Sequence, residues 1–270
     1  MNERDIVEKI SMILEQLDVE MYPETYDYLD YLSNCEEIEE IPSEIADGLV
    51  QLDTPKEFPS YLIDFIKELY EQGIKDEIAS AMNNLGAQYY DGGRGFEQDF
   101  SKAVAYYEMA AEHGDRQAQE NLGYCYFYGR NMPINYEKAF HYFALGAFDG
   151  HLNSLYKIGD MYLNGYYVKK NEKEAYQIYM HCLDIMTEEE AKYVAGPIYL
   201  RLGRMYLYGN GVEEDLRNSL ICYHKAEVYL YDMVKRGEKM YQKSYRASIA
   251  GQQMAREKME KTLPKQEWNH

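Results

Sequence analysis

From residue 79 to residue 235 the apolar and small residues return in one recurring order. The copies read Leu85-Gly86, Tyr89, Gly92; Leu122-Gly123, Tyr126, Gly129; Ile158-Gly159, Tyr162, Gly165; and Leu202-Gly203, Tyr206, Gly209. Positions i, i+3 and i+4 adjoin on a helix, so the spacing predicts one helix with Leu, Gly and Tyr on neighbouring faces. The second glycine of each copy stands where a helix stops and a left-handed residue is favoured. Asp99, Asn135, Asn171 and Asp215 follow as N-caps of a second helix. Ala103, Ala139, Ala175 and Ser219 then lie 17, 16, 16 and 16 residues after the first glycine and are expected to face it. A glycine inside a helix costs roughly 1 kcal/mol relative to alanine, and close approach of the second helix is the expected compensation. Tyr106-Tyr107, Tyr142-Phe143, Ile178-Tyr179 and Cys222-Tyr223 continue the stripe. Each copy is therefore an antiparallel helix pair that buries its apolar face against its neighbours.

The copies differ in detail. The third and fourth lack the glycine that closes the first two, so their second helices are expected to run through Met186 and towards Arg236. Thr187-Glu-Glu-Glu190 reads as a helix start, and Pro197 is expected to kink the first helix of the fourth copy or mark its beginning. Residues 1–78 do not share the pattern. Helices are expected at 3–19, 23–34, 43–52 and 59–73, with Gly73 ending the last and Glu36–Glu40 forming a loop or a frayed helix end. Residues 236–263 predict a basic amphipathic helix from about Glu238, stopped by Pro264, and residues 264–270, with Trp268, a mobile tail.

The string Ala118, Leu122-Gly123, Tyr126, Gly129, Lys138-Ala139, Tyr142 and Gly146-Ala147 resembles a Sel1-like repeat, and so does Leu202-Gly203, Tyr206, Gly209, Gly211-Val212, Asp215. The resemblance covers residues 79–235 as four repeats, about 79–115, 116–151, 152–187 and 195–235. Sel1-like repeats are relatives of tetratricopeptide repeats. The resemblance implies an all-α, right-handed superhelical solenoid, and such a stack needs helical caps at its ends. The acidic residues 1–78 are therefore expected to cap the first repeat or to form a separate partner-binding module, and the C-terminal helix to cap the fourth or to fold across the groove. The repeat itself assigns structural places to Gly86, Tyr89, Ala103, Gly123, Tyr126, Ala139, Gly159, Tyr162, Ala175, Gly203, Tyr206 and Ser219. If stacking follows the tetratricopeptide relatives, the first helices line a concave groove. Positions −3, +1 and +4 from the repeat glycine then supply Asn83, Tyr90, Glu120, Tyr124, Phe127, Tyr156, Asp160 and Arg204, with Ala87, Leu163, Leu200 and Leu207.

Charge adds a second theme. The chain has a formal net charge of −19. Residues 1–60 carry 17 acidic and 3 basic side chains, whereas residues 235–265 carry 9 basic and 3 acidic ones. Such acidity disfavours nucleic acid, whose phosphates need cations. No apolar run reaches the ~20 residues of a membrane span. The start of the chain has no basic segment leading into an apolar run, so no secretory signal is expected. Cys35, Cys125, Cys182 and Cys222 are scattered, which fits reduced thiols in a cytoplasmic protein.

Chemistry leaves few traces. There is no GxSxG, HExxH or P-loop, the six histidines show no i, i+4 pair, and no metal or cofactor is expected. Thirty tyrosines are more than the repeat needs, and aromatics beside a few charges suit protein recognition. The leading expectation is a non-catalytic scaffold or adaptor, monomeric or weakly dimeric, holding a peptide or a partner protein, with the acidic flank favouring a basic one. One alternative is an acidic neutraliser of a basic toxin or nuclease. Another is a small-molecule receptor or enzyme using the groove.

Overall fold

The computed structural model describes residues 2–35, 38, 40–52 and 57–262. Glu36, Glu37 and Glu39 of the acidic loop, Pro264 and the Trp268 tail lie outside the described residues. Every regular element among the described residues is helical. The chain divides into two compact units, residues 1–135 and 136–270.

The first unit holds α1 (Glu3–Leu14), α2 (Pro23–Asn34), α3 (Pro42–Gln51), α4 (Ser60–Lys75), α5 (Ala79–Asp91), α6 (Phe100–Glu112) and α7 (Arg116–Tyr128). A capping box opens α1: Asp5 N–H donates to the Asn2 side chain and Asn2 N–H to the Asp5 carboxylate, both at 3.0 Å. The helix stops at Leu14 rather than residue 19, because Asp18 forms a turn of its own. The Asp18 carboxylate accepts from the backbone of Glu20 at 3.0 Å and Met21 at 3.2 Å. At the end of α4, Gly73 is not the stop expected from the sequence, since the helix continues to Lys75. A Cβ on Gly73 would lie 2.8 Å from Ala81 Cβ and 2.9 Å from Ser43 Cβ, so this glycine lets α3 and α5 close on α4. Ile10, Leu29, Ile45, Leu49, Leu62, Ile66 and Leu69 are fully buried in one cluster that continues into Ala81 and Leu85 of α5. Burying each such Leu or Ile stabilises by ~1.5–3 kcal/mol. The N-terminal helices thus share their core with the first repeat, as a cap must.

The second unit holds α8 (Tyr136–Phe148), α9 (Leu152–Asn164), α10 (Glu172–Ile185), α11 (Glu188–Tyr208), α12 (Leu216–Lys235), a 3-10 turn (Lys239–Tyr241) and α13 (Gln242–Thr262). Thr187 and Glu190 form the capping box of α11, with Glu190 N–H donating to Thr187 Oγ1 at 3.2 Å and Thr187 N–H to Glu190 at 2.8 Å. The helix runs on through Pro197, which neither starts nor ends it. The basic C-terminal segment is not one helix from Glu238. Gly237 adopts φ +97° and the 3-10 turn follows, so α13 begins at Gln242. Ser248, Gly251, Gln252 and Ala255 form its buried stripe, and Ala255 joins Leu207 and Tyr223 in a small core. In that place α13 covers the end of the last helix pair.

The repeat signals fall on defined backbone positions. Gly92, Gly129, Gly165 and Gly209 take φ of +59°, +68°, +74° and +70° at the ends of α5, α7, α9 and α11. Asp99, Asn171 and Asp215 cap α6, α10 and α12 with their side chains. A further bond recurs in all four copies. The N–H of Asp99, Asn135, Asn171 and Asp215 donates to the carbonyl of Tyr89, Tyr126, Tyr162 and Tyr206, at 2.8, 3.0, 2.9 and 3.0 Å. Each turn between paired helices is therefore pinned to the repeat tyrosine's backbone.

Candidate functional site

The glycines inside the first helices make room chiefly for a ring. A Cβ on Gly86 would lie 3.0 Å from Tyr107, one on Gly159 2.7 Å from Tyr179, and one on Gly203 2.9 Å from Tyr223. Those tyrosines are buried and sit four residues beyond Ala103, Ala175 and Ser219. The small residue is close too: Ser219 Oγ donates to the Gly203 carbonyl at 2.8 Å. Gly123 and Ala139 are likewise buried. The repeat tyrosines Tyr89, Tyr126, Tyr162 and Tyr206 are half-buried rather than core. Tyr89 stacks on Tyr106 at 5.9 Å, Tyr162 meets Phe140 edge-on at 6.4 Å, and the hydroxyls of Tyr206 and Tyr176 are 2.8 Å apart.

The eight side chains expected in the groove divide by burial. In the first unit Asn83 and Glu120 are buried, whereas Tyr90, Tyr124 and Phe127 are half-exposed. Asn83 joins two first helices, its Oδ1 accepting from Asn121 Nδ2 at 3.0 Å. The half-buried members belong to an aromatic face. Tyr124 stacks on Tyr128 at 6.3 Å, Phe127 meets Tyr128 edge-on at 5.0 Å, and Tyr90 meets Phe100 at 5.2 Å. The Arg130 guanidinium lies 4.7 Å from the Phe100 ring centre, 5.8 Å from Tyr128 and 6.0 Å from Tyr90. Burial pushes the Tyr90 hydroxyl above its ordinary pKa, and Arg130 offsets part of that shift. Arg130 and Tyr128 flank the left-handed Gly129. The −3, +1, +4 stripe ends at Phe127, one residue before Tyr128 and three before Arg130.

In the second unit Tyr156 and Asp160 are buried and Arg204 is exposed. Asp160 accepts from Arg201 Nε and, at 2.6 Å, from Arg201 Nη2. The Tyr179 hydroxyl donates to it at 2.7 Å, and Lys157 Nζ stands 3.6 Å away. Burial pushes the Asp160 carboxyl up, but Arg201, Lys157 and Tyr179 outweigh it and hold the group below the ordinary value. The Arg201 guanidinium also lies 5.3 Å from the Tyr156 ring centre. This knot joins α9, α10 and α11, and none of its partners except Asp160 and Tyr156 was expected to take part.

A register signal was available. The position two before each repeat glycine carries Asn84, Asn121, Lys157 and Arg201. Asn84 donates to Asp47 at 2.9 and 3.0 Å, Asn121 reaches Asn83, and Arg201 reaches Asp160. In those three copies the side chain grips the preceding helix pair or cap. Among the described residues no cluster of three His, Cys, Asp or Glu could hold a metal, and no helix is long and apolar enough to cross a membrane.

Paired helices, left-handed glycine stops and a polar position reaching back to the preceding pair define an all-α repeat protein. The chain belongs to the Sel1-repeat family: the Sel1 repeat matches residues 79–115, 116–151, 152–179 and 199–227. Its fold is similar to the Sel1 repeat protein of Oxalobacter formigenes, at 23% identity and a TM-score of 0.55, over 77% of this chain and 82% of that one. It is also similar to a protective antigen of uropathogenic Escherichia coli with an SLR fold, at 18% identity and a TM-score of 0.52. There the match spans 93% of this chain and 56% of the antigen. Among curated proteins, none matches.

Proposed function

We propose that the protein is a non-catalytic interaction scaffold that holds a partner protein or peptide, with the face of Tyr90, Tyr124, Phe127, Tyr128 and Arg130 as a principal contact. The observation that carries this reading is the Arg130 guanidinium set among partly exposed rings, 4.7 Å from Phe100. Aromatic and arginine side chains contribute most of the binding energy at protein interfaces. Stacked rings and a guanidinium held by cation–π contact lose little entropy on docking. Tyr128, 47% exposed, adds apolar area that a partner would remove from water. The acidic N-terminal flank favours a partner with a basic surface.

The test is capture of partners from the native lysate by tagged wild-type protein and by Tyr124→Ala/Phe127→Ala. Expected is a stoichiometric partner that the double variant loses while its circular dichroism stays unchanged. Equal capture by a folded double variant would exclude this face.

A further inference from the structure

The second unit contains a concavity of about 460 Å³, walled by α9, the start of α10, α11, the turn after α11 and the first turn of α13. Asp160 and Arg201 line it as a pair, and each guanidinium nitrogen of Arg201 already donates one bond. Nε and Nη2 hold Asp160, and Nη1 donates to the Pro197 carbonyl at 2.8 Å. At the side, Lys170 pairs with Glu172 at 2.8 Å. That leaves Arg204, exposed on α11, with Asn210 from the turn and Ser244 from α13 also on the wall. The lining holds three cationic side chains, Lys170, Arg201 and Arg204, against two carboxylates, Asp160 and Glu172. A cationic excess inside a concavity is notable in a chain of net charge −19. Leu200 and Met205 supply an apolar wall beside it.

We propose that this concavity binds a carboxylate carried by a peptide. Arg204 supplies the ion pair, and Asn210 and Ser244 supply neutral hydrogen bonds. A guanidinium fork matches a carboxylate in two parallel bonds, and a concave setting screens it less than open water would. At a net charge of −19 the chain as a whole repels polyanions, with the basic residues 235–265 that include α13 as the exception, so an acidic peptide is favoured on this side of the unit. Because α13 forms one wall, the C-terminal cap completes the site. The proposal does not depend on the aromatic face of the first unit, and the two fail separately: one through Arg204 variants, the other through Tyr124 and Phe127 variants.

A chain terminus and an acidic side chain present the same group, and three probes separate them. These are acetyl-hexaglutamate amide, an acetylated Gly-Leu repeat peptide with a free C-terminus, and acetyl-hexalysine amide. Each is titrated into the full-length ¹⁵N-labelled protein at low salt, and amide shifts are followed. Expected is that at least one acidic probe moves amides of residues 160–171, 200–211 and 242–246, while hexalysine leaves them in place. A response to hexaglutamate alone assigns side-chain carboxylates, and a response to the free-acid peptide alone assigns a terminus. Arg204→Ala should weaken binding at least about tenfold, on the scale of one lost charge-assisted bond. Ser244→Asp should weaken it by repulsion, and Arg204→Lys should retain part of it. Silence of both acidic probes at millimolar concentration, or undiminished binding by a folded Arg204→Ala protein, overturns the proposal.

Discussion

The ring of Tyr223 closes on Gly251 so tightly that a Cβ there would fall 2.3 Å from Cε1 and 2.4 Å from Cζ. The same ring presses on Gly203, where a Cβ would lie 2.9 Å from Cδ1 and Cγ. Tyr223, on α12, therefore packs against both α11 and α13, and a larger residue at either glycine meets its ring. Gly251→Ala gains about 1 kcal/mol of helix propensity but overpacks the contact, at a cost of ~1–3 kcal/mol. We expect a net loss of stability, and for Gly251→Leu detachment of α13. Hydrogen exchange over residues 242–262 reads this directly. Unchanged protection in Gly251→Leu would show that the ring contact does not hold the cap.

Arg201 and Asp160 stand 41 residues apart and tie α11 to α9. Their side chains are 24% and 8% exposed, so removing one partner leaves a poorly solvated charge. Asp160→Ala is expected to destabilise by about 3–5 kcal/mol, and the double variant Asp160→Leu/Arg201→Met by much less than two independent losses. The pH dependence follows from the depressed carboxyl of Asp160. Its stabilisation is fully present above the unfolded value of 3.8 and is lost as pH falls through the lower folded value. Urea melts of wild type and Asp160→Asn should therefore differ most at neutral pH and converge in strong acid. A gap that widens on acidification would contradict this assignment.

Most of the repeat architecture was legible because its signals are local. A left-handed glycine, an N-cap and a helix-compatible period each act within one or two turns, so Gly165, Asn171 and Ala175 could be placed from spacing alone. The exposure of the candidate groove was not legible. Whether Asp160 faces a partner or an arginine depends on Arg201, one repeat away, and a single-helix stripe does not carry that information. The same reason hid Gly73 and Gly251. A glycine at a helix end and one under a neighbouring side chain look alike in sequence, and the surrounding packing distinguishes them. Arg130 was missed because it follows the helix stop, where stripe arithmetic no longer applies.

The four cysteines should separate cleanly by reactivity. Burial pushes the thiols of Cys125 and Cys182 up to about 12 and that of Cys222 up to about 11. The thiolate is the nucleophile, so these three are inert near neutral pH. Cys35 is half-buried and free, with Sγ 3.3 Å from the Tyr31 carbonyl. Labelling of the native protein with a disulfide reagent is expected to modify Cys35 quickly and the other three only on unfolding. Rapid loss of a second thiol under native conditions would mean that one of the repeats opens locally.

The N-terminal cap is fastened to the first repeat by Asp47, which accepts from the Tyr70 hydroxyl at 2.6 Å and from Asn84 at 2.9 and 3.0 Å. Burial raises the Asp47 carboxyl above its ordinary value, and the bonds from Tyr70 and Asn84 offset part of that rise. A raised carboxyl in the folded state means that stability from this group falls as pH climbs from 3.8 through the folded value. Tyr70→Phe removes one of the two offsetting donors and raises the group further. The variant should lose ~1–3 kcal/mol at neutral pH, where the carboxylate is charged and short of a donor. Below the raised folded value, where Asp47 is protonated, the loss should shrink. Urea melts at the two pH values decide the matter, and a cost that is the same at both would show that Asp47 does not titrate in this contact.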